Sequence, residues 1–152
     1  MRNKPGSKIA IIVSGLLIGC SVLLWGPAAV ARPDESRCSN RTLRGSYGGS
    51  FDGQIPAGPG TLLLRGLVMT QFDGEGNLSQ VEFVTINGAP PSSEWRASQG
   101  TYEIEANCTG EAEITQSDGS ILRQRWVVIN RGREIRAVVE GAAAGGTRIK
   151  VD

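Results

Sequence analysis

Between residues 100 and 130 the chain reads GTYEIEANCTGEAEITQSDGSILRQRWVVIN, with apolar and polar side chains alternating almost without a break. A period of two turns successive side chains to opposite faces of a strand, so this stretch predicts three consecutive antiparallel strands, each half buried. Tyr102, Ile104 and Ala106 fall on the inner face of the first strand, with Glu103 and Glu105 outside. After a turn over residues 107–110, Ala112 and Ile114 repeat the inner set, and Glu111 and Glu113 the outer one. Nothing beyond residue 31 carries helical periodicity of useful length.

The turns set the register. A two-residue loop of Asp118 and Gly119 would place Ile114 opposite Arg123 and mix the two faces. A three-residue loop, Ser117 to Gly119 with the glycine left-handed, places Ile114 opposite Leu122, Glu113 opposite Arg123 and Glu111 opposite Arg125. Carried across the first turn, the same logic predicts two outward rows: Glu105, Glu111 and Arg125, and beside it Glu103, Glu113 and Arg123. Such a face reads as a solvated surface that discourages edge-to-edge pairing, rather than as a metal or substrate site. Further on, a tight turn at Arg131 and Gly132 sets Trp126 against Ala137 and Val128 against Ile135.

Other strands are predicted at 43–51, 61–72, 78–87, 133–141 and 147–151. Gly45, Gly48 and Gly49 imply a bend or a close backbone approach in the first of them. A Pro/Gly loop covers 53–60, a turn covers 142–146, and residues 73–77 (DGEGN) form a tight hairpin turn without the spacing of a calcium loop. The connection over 88–99, with Pro90, Pro91 and Trp95, would form the rim or lid of any cavity. The fold class that follows is all-β: an antiparallel up-and-down meander of seven or eight strands, closed as a small barrel because closure removes unpaired edges, with a flat sandwich as the alternative that the near-neighbour hairpins disfavour. An eight-stranded barrel either fills with side chains or holds one small ligand.

Residues 1–31 have the layout of an export signal. Arg2, Lys4 and Lys8 precede an apolar core at 9–24, and Ala29, Val30 and Ala31 form a small-residue cleavage site. Two alternatives stand beside cleavage after Ala31. Leu17, Ile18, Gly19 and Cys20 resemble a lipobox that would be lipidated at Cys20, and residues 9–31 are long enough to stay as a membrane anchor. Each alternative places the remainder in the periplasm or outside the cell, with residues 32–40 as a linker and 41–152 as a single barrel domain. Cys38 and Cys108 then remain, and an even pair in an oxidising compartment predicts a disulfide. Without Arg2, Lys4 and Lys8 the 16 basic residues fall to 13 against 15 acidic, a net charge of −2 with no surplus for nucleic acid.

Several of these residues carry a resemblance. Cys38, the run 42–48 (TLRGSYG), the turn 72–77 (FDGEGN), residues 100–102 (GTY) and residues 108–110 (CTG) resemble small exported bacterial proteins of uncharacterised function. The likeness covers about residues 38–141. It implies a calycin-like barrel, similar in outline to lipocalins or to the allene oxide cyclase barrel. The lipocalin G-x-W signature is replaced here by Gly45, Ser46 and Tyr47.

The chain contains no histidine. That removes Ser-His-Asp and Cys-His nucleophiles, imidazole zinc sites and the usual general base near neutral pH. P-loop, dinucleotide and G-x-S-x-G motifs are absent from the sequence. No catalytic residue, metal ligand or cofactor is therefore assigned. Catalysis would rest on carboxylates, tyrosines or arginines, with a buried Glu or Asp as acid or base, and the alternation puts nearly every Glu and Arg outside. Tyr47, Trp95, Tyr102 and Trp126 are the candidate ligand contacts near the barrel mouth, with core packing as the alternative. The sequence thus points to a binding module for a small apolar or amphipathic ligand. A packed barrel acting as a structural or surface-interaction protein, and a histidine-free isomerase or cyclase of the allene oxide cyclase kind, are the alternatives. Membrane contact is expected only through the N-terminal segment.

Overall fold

The computed structural model describes residues 37–92 and 94–151. The expected signal segment with Cys20 and the expected cleavage site, and residues 32–36 of the expected linker, lie outside the described residues. Eight antiparallel strands follow one another in chain order: β1 (Gly45–Ala57), β2 (Gly60–Phe72), β3 (Asn77–Ile86), β4 (Arg96–Ile104), β5 (Thr109–Thr115), β6 (Ile121–Ile129), β7 (Glu134–Val139) and β8 (Ala143–Val151). Each pairs with the next, and β8 returns to β1, with Ser50 opposite Thr147, so the meander closes into a barrel.

The alternation argument carries through the central hairpins. Ile114 faces Leu122, Glu113 faces Arg123 and Glu111 faces Arg125. Trp126 faces Ala137, and Val128 faces Ile135. The β4–β5 register differs by two residues: Glu103 faces Glu111 and Thr101 faces Glu113. β4 ends at Ile104, two residues before the expected turn, and a loop over 105–108 closes with the Cys108 N–H donating to the Glu105 carbonyl and Cys108 at φ 68°. Ala106, expected inside, is exposed in that loop, where its carbonyl accepts the Cys38 N–H.

Two glycine-rich stretches expected as loops are strand. β1 runs on to Ala57, and β8 begins at Ala143 with Gly145 and Gly146 inside it. Here glycine serves close approach rather than a turn: a Cβ on Gly146 would stand 2.3 Å from the Ser50 carbonyl oxygen.

One end of the barrel is plugged. The Cys38–Cys108 disulfide ties the incoming chain to the β4–β5 loop. A 3₁₀ turn at Asn40–Thr42 follows, and Leu43 drops fully buried into the barrel. Asn40 Oδ1 accepts the Ile104 N–H at 2.8 Å. Beneath this plug Phe72 sits among three rings, edge-on to Tyr47 (centroids 5.1 Å), Tyr102 (5.1 Å) and Trp126 (5.7 Å). Tyr47 donates to the Gly132 carbonyl, and the Tyr102 hydroxyl accepts the Gly74 N–H while lying 3.1 Å from the Asn40 and Leu43 carbonyls. Both phenols thus keep their polar tips satisfied where the rings are dry.

Candidate ligand-binding cavity

The half of the barrel beyond the aromatic layer is open, and it holds a cavity of about 470 Å³. Its upper wall is apolar, with Phe51, Val68, Val84, Leu122 and Ala137 among the lining residues. Phe51 can lie flat against the opposite strand because residue 66 is glycine, where a Cβ would meet the ring at 2.4 Å.

Polar side chains gather between this wall and the aromatic layer. Thr70, Gln80, Glu82, Gln124 and Arg148 are all buried and all point inward. The ladder explains their company. Gln80 faces Thr70 on β2 and Ser98 on β4, and Glu82 faces Arg96. Arg148 lies opposite Gly49 on one side and Ile135 on the other. Gly49 leaves no Cβ to hold β8 away at that level, since one would stand 2.0 Å from the Thr147 carbonyl oxygen.

The charges are unevenly matched. Arg96 Nη2 bonds Glu82 Oε1 at 2.8 Å. Arg148 Nη2 has a neutral acceptor, Gln124 Oε1 at 3.2 Å, which also takes the Trp126 Nε1–H at 2.9 Å. The Arg148 guanidinium stands 5.7 Å from the centre of the Trp126 ring, a cation–π distance. Burial lowers the Arg148 pKa to about 10, and the Glu82 charge works against that shift. Burial raises the Glu82 carboxyl above the ordinary range, opposed by Arg96 and then by Arg148. Among the described residues, three buried side-chain polar atoms lack a hydrogen-bond partner: Arg148 Nε, Arg96 Nε and Ser98 Oγ. All three belong to strands β4 and β8 at this level of the barrel. A buried donor without a partner is costly, and each one in a folded protein calls for an explanation, such as a catalytic role or a bound water or ion.

The four aromatic residues named from the sequence sit elsewhere. Tyr47, Tyr102 and Trp126 come together, but around Phe72 in the plugged half, at 0%, 4% and 2% exposure. Trp126 reaches the polar layer from beneath, through Gln124 and Arg148. Trp95 is on the outer wall against Phe83, ring centroids 5.9 Å apart, and half exposed. The turn at 73–77 uses its carboxylate internally, Asp73 Oδ1 accepting the N–H groups of Glu75, Gly76 and Asn77.

Glu82, Arg96 and Arg148 are exceptions to the expectation that Glu and Arg point outward. For Glu82 the signal was present: with Leu78 inward, strict alternation takes Gln80, Glu82 and Val84 inward too. For Arg148 it was not. Read alone, 147–151 would turn its apolar Ile149 and Val151 inward, yet both are exposed.

No protein-family model and no curated protein matches this chain. It is similar to a solved structure described as the de novo design of a fluorescence-activating beta barrel, at 13% identity and a TM-score of 0.48, over 74% of this chain and 96% of that one.

Proposed function

We propose that this protein is a calycin-like binding module that holds one small amphipathic ligand in the open half of its barrel. The carrying observation is a cavity of about 470 Å³ with an apolar wall above a buried layer of polar side chains. That combination, apolar lining with a few convergent polar groups in a volume of this size, is the usual composition of a small-molecule site. The plug at the other end supports the same reading, because disulfide, 3₁₀ turn and aromatic layer stiffen one half and leave the other to a ligand. Export fits with it: a disulfide of this kind persists in an oxidising compartment.

Native mass spectrometry of the protein purified from its own host's periplasm or medium tests the proposal. A stoichiometric co-purifying small molecule is expected. A bare protein mass, together with no thermal shift from a panel of apolar and amphipathic compounds, would overturn it. A second reading, a histidine-free isomerase or cyclase, draws on the inward Glu82, whose raised pKa suits a proton-transfer group. Under that reading Glu82→Gln would bind the same compound but stop its conversion, visible as an unchanged mass and chromatographic position of the bound species.

A further inference from the structure

We infer that the ligand is a monoanion, a carboxylate with an apolar body, whose head group is taken by Arg148 at the floor of the cavity. The inference rests on the proposed binding function and adds the chemistry of the head group. Its basis is the charge balance of the buried layer. Buried Arg148 and the partly exposed Arg96 supply two guanidinium groups, and among the described residues Glu82 supplies the one carboxylate at this level of the cavity. That carboxylate is already engaged by Arg96.

Arg148 is therefore a buried cation whose bonded partner is an amide oxygen shared with an indole N–H. A buried guanidinium with no carboxylate hydrogen-bonded to it is unfavourable unless it is compensated, and the charge of Glu82, which is bonded to Arg96, offsets the burial of Arg148 only in part. Its Nε–H is unused, as is that of Arg96, and both side chains line the cavity. A guanidinium presents donors in a planar fork that fits a carboxylate with two parallel bonds. Glu82 argues against a dianion, because a second negative charge would face its carboxylate in a poorly screened interior. The apolar side chains above, Phe51, Val68, Val84, Leu122 and Ala137, then cover the body of the ligand. At the mouth Asp118 and Glu140 line the rim, so the positive potential is confined to the floor, and a carboxylate lowers its energy by going all the way in.

The test compares three probes with one apolar chain: octanoate, 1-octanol and octylammonium, titrated calorimetrically into the disulfide-intact protein. Octanoate is expected to bind at least about tenfold more tightly than octanol, as hydrogen bonds to a charged group imply. Octylammonium should bind weakest. In Arg148→Met the preference for octanoate should vanish while octanol affinity stays. In Glu82→Gln the floor loses its own anion, and octanoate should bind more tightly still. Equal affinity of wild type for octanoate and octanol would overturn the inference and leave the binding function standing. Failure of all three probes to bind would overturn the inference, and the native mass spectrum with the compound panel then decides the binding function. Should Arg148→Met not fold, the wild-type ranking and the direction of the Glu82→Gln change decide alone.

Discussion

Removing the Cys38–Cys108 bridge, by a Cys38→Ala, Cys108→Ala double variant, is expected to lower stability by about 4 kcal/mol. The two cysteines are 70 residues apart in sequence, so the bridge restricts more than half of the described chain when it is unfolded. The chain-entropy relation for a loop of that length gives about 15 cal/mol/K, or about 4 kcal/mol at 25 °C. The native side should change little, because other contacts also hold the plug: the Cys38 N–H to the Ala106 carbonyl, Asn40 to the Ile104 N–H, and Leu43 in the core. The loss should therefore appear as an unfolded-state effect. Urea unfolding followed by Trp126 fluorescence measures it, since that indole is buried in the aromatic layer. The midpoint should fall by roughly 1–4 M for the usual range of m, and m itself should rise as the released chain exposes more surface. A fall below about 0.5 M with m unchanged would refute the reasoning, for the unfolded chain would then be restricted by something other than the bridge.

Three further expectations concern the frame around the cavity. Tyr102→Phe removes the hydroxyl shared by Gly74, Asn40 and Leu43, and should cost about 1–3 kcal/mol in urea unfolding; a change near zero would mean those groups find other partners. Glu111→Gln should change stability by no more than about 0.5 kcal/mol, because Glu111 and Arg125 are both largely exposed and Arg125 keeps Glu140. A loss above about 2 kcal/mol would place the acidic face in a buried or liganded setting. Asp73 is held at about 2 rather than 3.8, first by the Asn77 side-chain amide and then by backbone N–H groups of the turn. A depressed folded pKa stabilises fully above the unfolded value and less as pH falls through the folded one. The stability gap between wild type and Asp73→Asn, read from urea midpoints, should thus hold above pH 3.8 and close toward pH 2. A gap that persists at pH 2 would show that ionisation is not its source.

Where a hairpin's turn was short and its flanks alternated, register followed from local sequence, as with Ile114 facing Leu122 and Trp126 facing Ala137. Where the connection was held by a distant partner, it did not. The β4–β5 loop is shaped by a cysteine bonded to residue 38 and by a carbonyl accepting from that same residue, and neither influence is local. Trp95 is on the outer wall. Tyr47, Tyr102 and Trp126 are legible as inward, but not which half of the barrel they fill. That depends on where Leu43 enters and which end the disulfide closes.

By itself the sequence determined an all-β meander, its closing tendency and the cysteine pair, because period-two patterning, turn glycines and thiol count act within a few residues or by simple parity. Tertiary structure decided which end is plugged and which is hollow, and it decided the inward turn of Arg148. In 147–151 the hydrophobic pattern argues for Ile149 inside, yet β8 is held between β1 and β7, with Gly49 and Ile135 opposite Arg148. Two ladders of backbone hydrogen bonds, each shifting every side chain to the other face if slipped by one residue, outweigh the preference of two apolar side chains. The buried cation that results is a product of barrel closure, and no window of local sequence contains it.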